Sequence, residues 1–231
     1  MSIHMQREIN KLKRKVLNLG ALVEESVDRA VRSIRDRDTE LAQKIIATDI
    51  TIDEQEVDIE EECQKILALH QPVAHDLRFI IAVLKINNEL ERIGDATVNI
   101  AERSLYLASQ ERMDMPFDFS RMSEKVQSML HQSLDALVNQ DARLAYGVIS
   151  MDDEVDAINR EMYSQVKKGL EEQPGHIESL VHLLGVSRHL ERIGDYASNI
   201  AEDVIYLVQG EIVRHKAEEY LQVSKRTSGP V

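Results

Sequence analysis

The stretch LERIGDATVNIAERSLYL occupies Leu90–Leu107, and LERIGDYASNIAEDVIYL occupies Leu190–Leu207. Twelve of the eighteen positions are identical across a spacing of one hundred residues. A repeated core needs only repeated hydrophobicity. Here Glu91/Glu191, Arg92/Arg192, Asp95/Asp195 and Glu102/Glu202 recur as faithfully as the apolar positions. The repeat therefore implies two similar halves and a polar pattern that each half needs.

Placed on a helix, Leu90, Ile93, Thr97, Ile100, Ser104 and Leu107 form one stripe, matched by Leu190, Ile193, Ala197, Ile200, Val204 and Leu207. That stripe predicts core. Upstream, Leu12, Val16, Leu19, Val23, Val27, Ala30 and Ile34 predict a first helix ending near Asp36–Asp38, with Thr39 capping the next. The second is expected to reach about His70, with Leu41, Ile45, Ile52, Ile59 and Ile66 inward; Pro72 closes the hairpin and Asp76 opens the third, ending near Ser109. The plan recurs from Met122 to Val138, from Asp141 to Glu172, and, after Pro174–Gly175, to about Gln209, with Gly210 as a stop. Further turns over Glu211–Val223 are possible on this pattern. Long helices and short connections predict an all-α chain of two tandem antiparallel three-helix bundles. The halves are 1–112 and 113–231, linked at Met113–Ser120, with a disordered tail over 224–231. No strand is predicted.

Composition agrees. Aromatics are 4% of a chain that is 43% hydrophobic, there is no Trp, and Pro occurs four times, which suits helix-on-helix packing. The lone Cys63 excludes an internal disulfide and reads as a small core residue in a reducing compartment. The start, MSIHMQREINKLKRK, lacks an apolar leader segment, and the apolar run near Phe79–Ile86 is broken by Lys85. A soluble cytoplasmic chain without membrane insertion is expected. A net charge of −13 argues against a nucleic-acid partner, because phosphate neutralisation needs a basic face. The charge is uneven: Met1–Arg37 carries nine Lys/Arg against five Asp/Glu, and Thr39–Glu62 carries nine acids against Lys44 alone. This predicts a basic first helix lying on an acidic second one, or else a docking face on the first helix.

A second stripe accompanies the core stripe: Glu91, Asp95, Asn99 and Glu102, matched by Glu191, Asp195, Asn199 and Glu202. Residues at i and i+4 stand about 6 Å apart, so each Glu-x-x-x-Asp aims two carboxylates the same way. The preceding helices carry Asp49/Asp53 and Asp152/Asp156 at the same spacing. Facing residues of an antiparallel hairpin average to its turn. Asp53 with Asp95 averages 74 and with Glu91 averages 72, beside Pro72; Asp156 with Glu191, and Asp152 with Asp195, average 173.5, beside Pro174. Four carboxylates are thus expected to converge in each half. Without His or Cys they suit a hard, oxygen-ligated ion: iron, Mn, Mg or Ca.

Other residues carry less. His182 and His189 share a face seven residues apart, without a counterpart in the first half, and read as surface or interface positions. Gly94 and Gly194 cost ~1 kcal/mol each in a helix, which close approach of a neighbouring helix or a metal would explain better than a hinge. No glycine-rich phosphate loop and no nucleophile with an evident base is present.

The paired ERIGD…NIAE segments, backed by the Asp49/Asp53 and Asp152/Asp156 pairs, resemble the PhoU family of phosphate-uptake regulators. PVAHDLRFI after the first hairpin turn is similar to that family's PVA-x-DLR segment, and the likeness runs from about His4 to His215. The second half departs by carrying HIE at His176–Glu178 in place of DLR, and the tail beyond His215 is poorly matched. The resemblance implies tandem three-helix bundles with metal ions held by Asp49/Asp53, Glu91/Asp95, Asp152/Asp156 and Glu191/Asp195. It also implies a non-enzymatic role: repression of the phosphate-starvation response by coupling the ATPase-driven phosphate importer to a membrane histidine kinase, as a homodimer. The alternative is a carboxylate-bridged di-metal enzyme. Such sites use Glu-x-x-His, whereas Glu91 and Glu191 are followed at i+3 by Gly.

Overall fold

Apolar residues recurring every three or four positions over more than thirty residues leave the first segment no alternative to a long helix. The computed structural model, which describes residues 3–113 and 119–213, places it as α1, Ile3–Asp36. All seven of its expected core positions are buried. There follow α2 (Thr39–His70), α3 (Ala74–Ser109), α4 (Ser120–Asn139), α5 (Ala142–Glu172) and α6 (Ile177–Gln209), with a short 3₁₀ turn at Pro174–His176. No strand occurs among the described residues.

The helix ends are built as the side chains dictate. Asp38, rather than Thr39, is the N-cap of α2: its carboxylate accepts from the Leu41 amide at 2.9 Å, and Thr39 is the first helical residue. Asp is at least as good a cap and stands one position earlier, where the chain is still extended. Asp141 caps α5 the same way, accepting from the Arg143 and Leu144 amides. The third helix begins two residues before the expected Asp76, because Gln71 (φ 45°) and Ala74 (φ 50°) absorb the reversal around Pro72. The orphan carbonyls at the end of α3 are capped by Arg37, whose guanidinium donates to the carbonyls of Leu107, Ala108 and Gln110. Gly210, at φ 77°, ends α6. Glu211–Val213 are not helical; the rest of that stretch, the tail, and positions 114–118 of the expected link lie outside the described residues.

Each half is a three-helix bundle, α1–α3 and α4–α6, and each packs all three of its helices together. The widest contact in the molecule is between the bundles, where α3 lies along α6. α1 also meets α4, whereas α2 and α5 do not touch. Hence α1, α3, α6 and α4 form a central ring, and α2 and α5 flank it. Along α3 and α6, facing residues have sequence positions averaging 144: Lys85 with Asp203, Arg92 with Tyr196, Arg103 with Gly185, Tyr106 with His182. The two helices are therefore antiparallel, and the repeat places Gly94 and Gly194 at the same height.

The charge asymmetry of the first half resolves as one helix on another. Lys11 reaches Glu62 at 3.1 Å and Lys15 reaches Asp58 at 2.5 Å. The docking face expected as the alternative on α1 loses two of its cations to α2. Cys63 is fully buried, and burial pushes its thiol up to about 12, so it behaves as core. No described helix is long and apolar enough to cross a membrane.

Candidate metal centres

The hairpins deliver the acids in the register that the turns dictate. In the first, Asp49 and Asp53 of α2 act on Asp95, and Asp53 also acts on Glu91. In the second, Asp152 and Asp156 of α5 act on both Glu191 and Asp195 of α6. In both halves the acids lie in the groove between the hairpin helices, half-buried except for the exposed Asp53 and Asp95.

Their electrostatics are those of like charges forced together. Burial, then Asp53 and Asp95, pushes Asp49 up to about 6. Burial, then Glu191, Asp152 and Asp156, pushes Asp195 up to about 7 against the opposing pull of Arg192. Glu91, Asp95, Asp152 and Glu191 are raised as well, each first by burial and then by a facing or neighbouring acid. Asp152 is partly relieved by the Ser198 hydroxyl, which donates to it at 3.3 Å. One atom stands out: Asp49 Oδ1 is buried and accepts no hydrogen bond. A buried carboxylate oxygen without a donor carries a desolvation penalty of about 1–3 kcal/mol or more.

The convergence expected from sequence is incomplete. Among the described residues no group of three His, Cys, Asp or Glu is arranged to hold an ion as it stands. The acids form two facing rows in each half and not a closed cage. Mutual repulsion explains this, since one side of each groove opens to water into which the side chains can lean.

Gly94 lies inside the first of these grooves. A β-carbon there would meet Ile52 at 3.1 Å and Asp49 Oδ1 at 3.5 Å, whereas one at Gly194 would find its nearest atom, on Val155, at 3.5 Å. Close approach accounts for Gly94 and does not account for Gly194. Gly194→Ala should accordingly stabilise the protein by about 0.5–1 kcal/mol through helix propensity, and Gly94→Ala should gain less or lose, as read by denaturant unfolding.

Sequence reading missed the polar ties that set this register. The Asn87 amide donates to Glu56 Oε1 at 3.1 Å and to the Glu56 carbonyl at 2.9 Å; in the second half the Ser187 hydroxyl donates to Asn159 at 2.6 Å. Both lie one helical turn from the acids toward the hairpin turn, at repeat-related positions. The residue types differ, so identity between the repeats could not reveal them. Glu56 also acts on Glu91, extending the acidic row.

Two helical hairpins that each present facing carboxylate rows, duplicated at a spacing of one hundred residues, define a tandem-bundle class of protein. The profile of the PhoU domain matches residues 4–104 and 119–204, and the chain belongs to the PhoU family. It is 40% identical over 210 residues to a phosphate-specific transport system accessory protein PhoU homolog of Aquifex aeolicus, covering 91% of this chain and 95% of that protein. It is 38% identical over 216 residues to the homolog of Pseudomonas aeruginosa, covering 93% and 89%. The crystal structure of PhoU from Pseudomonas aeruginosa superposes with a TM-score of 0.86 at 37% identity, covering 89% of this chain and 99% of that one. The phosphate transport system regulatory protein PhoU from Streptococcus pneumoniae gives 0.79 at 31%, covering 90% and 99%.

Proposed function

We propose that this chain is a non-enzymatic, cytoplasmic regulator of phosphate uptake that couples a phosphate-specific ABC importer to a membrane histidine kinase and represses the phosphate-starvation response. Its two hairpin grooves hold oxygen-ligated metal ions. Asp49, Asp53, Glu91 and Asp95 serve one site, and Asp152, Asp156, Glu191 and Asp195 the other. The observation that supports the metal reading is the duplicated, register-matched pair of acidic rows, one of which contains the unpartnered Asp49 oxygen. A bound cation supplies the positive charge that offsets these repulsions, and the carboxylates would tie α2 to α3 and α5 to α6. An all-carboxylate donor set suits iron, Mn, Mg or Ca. The names of the relatives, accessory proteins of phosphate-specific transport, support the regulatory role. No observation favours the di-metal enzyme.

A strain lacking the gene should express phosphate-starvation genes in phosphate-rich medium, and the chain should be retrieved with the importer ATPase or the kinase. Retained repression in that strain sinks the regulatory reading. Promoter DNA should not be bound, since a charge of −13 repels the phosphate backbone. Elemental analysis of protein purified without chelator reads the metal and its stoichiometry, and light scattering reads the homodimer that the reading includes. An ion at 100 times its Kd adds ~2.7 kcal/mol to folding, so chelator should lower the melting temperature. Asp53→Ala should empty the first site and leave the second loaded, because each hairpin supplies its own ligands. Stoichiometry that is unchanged, or that falls to zero, contradicts this pairing.

A further inference from the structure

The seam between α3 and α6 gathers four arginines. Arg188 and Arg192 are exposed on α6, and neither makes an ion pair among the described residues. They offset part of the shift at Glu191, and Arg192 offsets part of that at Asp195. Arg103 of α3 is half-buried over Gly185, where a β-carbon would collide with its Nε; it donates to the Asn99 carbonyl, and Glu102 beside it acts on it without forming an ion pair. Arg92 touches Glu89 at 3.6 Å and lies over the Tyr196 ring at 5.9 Å from its centroid.

The antiparallel register puts these four in file. Arg92 faces Tyr196, Arg192 stands level with Ala96, Arg188 with Ile100, and Arg103 faces Gly185. From the level of Arg92 to that of Arg103 is about 16 Å of helix. Arg103, reaching across the seam from α3, acts on the buried His189, which stands between Arg188 and Arg192 on α6. The acidic rows flank this file, Glu91 and Asp95 toward α2 and Glu191 and Asp195 toward α5. α1 and α4 cover the opposite side of the ring. Across one face of the molecule, α2–α3–α6–α5, the charge therefore reads acid, arginine, acid.

We propose that the arginine file along the α3–α6 seam, Arg92, Arg192, Arg188 and Arg103, is the docking site for an acidic segment of a partner protein. The adaptor reading above enters only in saying why such a partner exists; affinity for the segment is measurable without it. Guanidinium groups bind carboxylates through two parallel hydrogen bonds, and a file of them selects for order as well as charge. Length suits about five residues of extended chain or three turns of helix. Width decides between a peptide and a membrane. A flat anionic bilayer would press its headgroups onto both acidic rows, whereas a single segment fits between them and meets only arginine.

The test titrates the full chain with a fluorescent oligoglutamate peptide. Arg92→Gln/Arg188→Gln/Arg192→Gln should weaken binding about tenfold or more, with an unchanged melting temperature. A control that removes as much charge elsewhere, Arg14→Gln/Lys44→Gln/Arg143→Gln, should leave it within about twofold. In chelator-treated protein, Asp95→Asn/Asp195→Asn should tighten it by removing the flanking repulsion. Absence of peptide binding overturns the proposal, as does equal weakening by the control. So does preference for phosphatidylserine vesicles over the peptide, or a wild-type dimer that the triple variant dissociates, which would make the occupant a bilayer or a second copy. Loss of repression in the gene-deletion assay with peptide binding intact, or the reverse, separates this surface from the adaptor role.

Discussion

Asp195→Asn should make chelator-treated protein more stable above pH 7, by about 2–4 kcal/mol. The folded protein holds the Asp195 proton up to about 7, against an ordinary value of 3.8, first because the carboxyl is buried and then because Glu191, Asp152 and Asp156 surround it. The folded state thus binds more protons than the unfolded state between those two values. Stability from this group is full below 3.8 and is lost as pH rises through about 7. A difference of that size corresponds to about 4 kcal/mol at most, and water on the open side of the groove screens part of it. An amide of the same shape has no charge to desolvate and removes the penalty.

His189 bends the wild-type profile the other way and must be separated. It is 8% exposed. Burial, then Arg103, Arg192 and Arg188, holds it at about 4 against 6.5. Its unfolded form gains a proton first, so stability falls as pH drops from 6.5 toward 4, by up to about 3 kcal/mol. Between those limits the two groups oppose each other. The difference between Asp195→Asn and wild type, measured by denaturant unfolding across pH, cancels His189 and isolates Asp195. If the variant is no more stable above pH 7, the acidic row is not strained. If it is more stable and also fails to bind metal, the row is a site whose carboxylates oppose folding and favour an ion.

The fold was legible because every helix states its core at a helical period and the hairpin turns are marked by Asp38, Pro72, Asp141 and Pro174; the end of α3, capped by Arg37 from another helix, carries no such local mark. The hairpin register was legible too. Two turns and a spacing of four suffice to put Asp53 opposite Glu91 and Asp156 opposite Glu191, and these pairs act on each other as expected. What sequence could not supply is the third dimension of the acids. Spacing shows which residues share a groove but not whether their side chains close on one point, and here they do not. Nor could it supply the packing of one bundle on the other. His182 and His189 read as surface or interface positions, and the structure places both at the interface: His182 stacks on Tyr106 at 3.8 Å between centroids, and His189 is buried against the seam. Their partners on α3 lie outside any local pattern, and only the shared average of 144 reveals the alignment.

That seam supplies the second large effect. Lys85→Met should destabilise the protein by about 3 kcal/mol. Lys85 Nζ meets Asp203 at 2.9 Å and lies over the Tyr206 ring at 5.2 Å from its centroid, while the Asp203 side chain is only 4% exposed. Removing one member of a buried pair leaves the other charge desolvated, which costs about 3–5 kcal/mol; the partial exposure of Lys85 argues for the lower end. Adding Asp203→Leu to Lys85→Met should recover most of the loss, because a well-packed apolar pair replaces a buried ionic one at little cost. The repeat provides an internal control. At the related positions Lys85 becomes Gly185 and Asp203 becomes Arg103, so the pseudo-twofold relating the bundles carries an ion pair at one end of the seam and a lone arginine at the other. Arg103→Met removes no buried partner and should cost about 1 kcal/mol, mostly lost packing. Equal losses at the two ends would mean that packing, not the ion pair, holds the bundles together. Equilibrium unfolding also shows where the energy acts. The buried apolar residues of both bundles form one continuous cluster, so Lys85→Met should lower a single transition without splitting it; two separate transitions would mean that the ion pair, and not the shared core, couples the bundles.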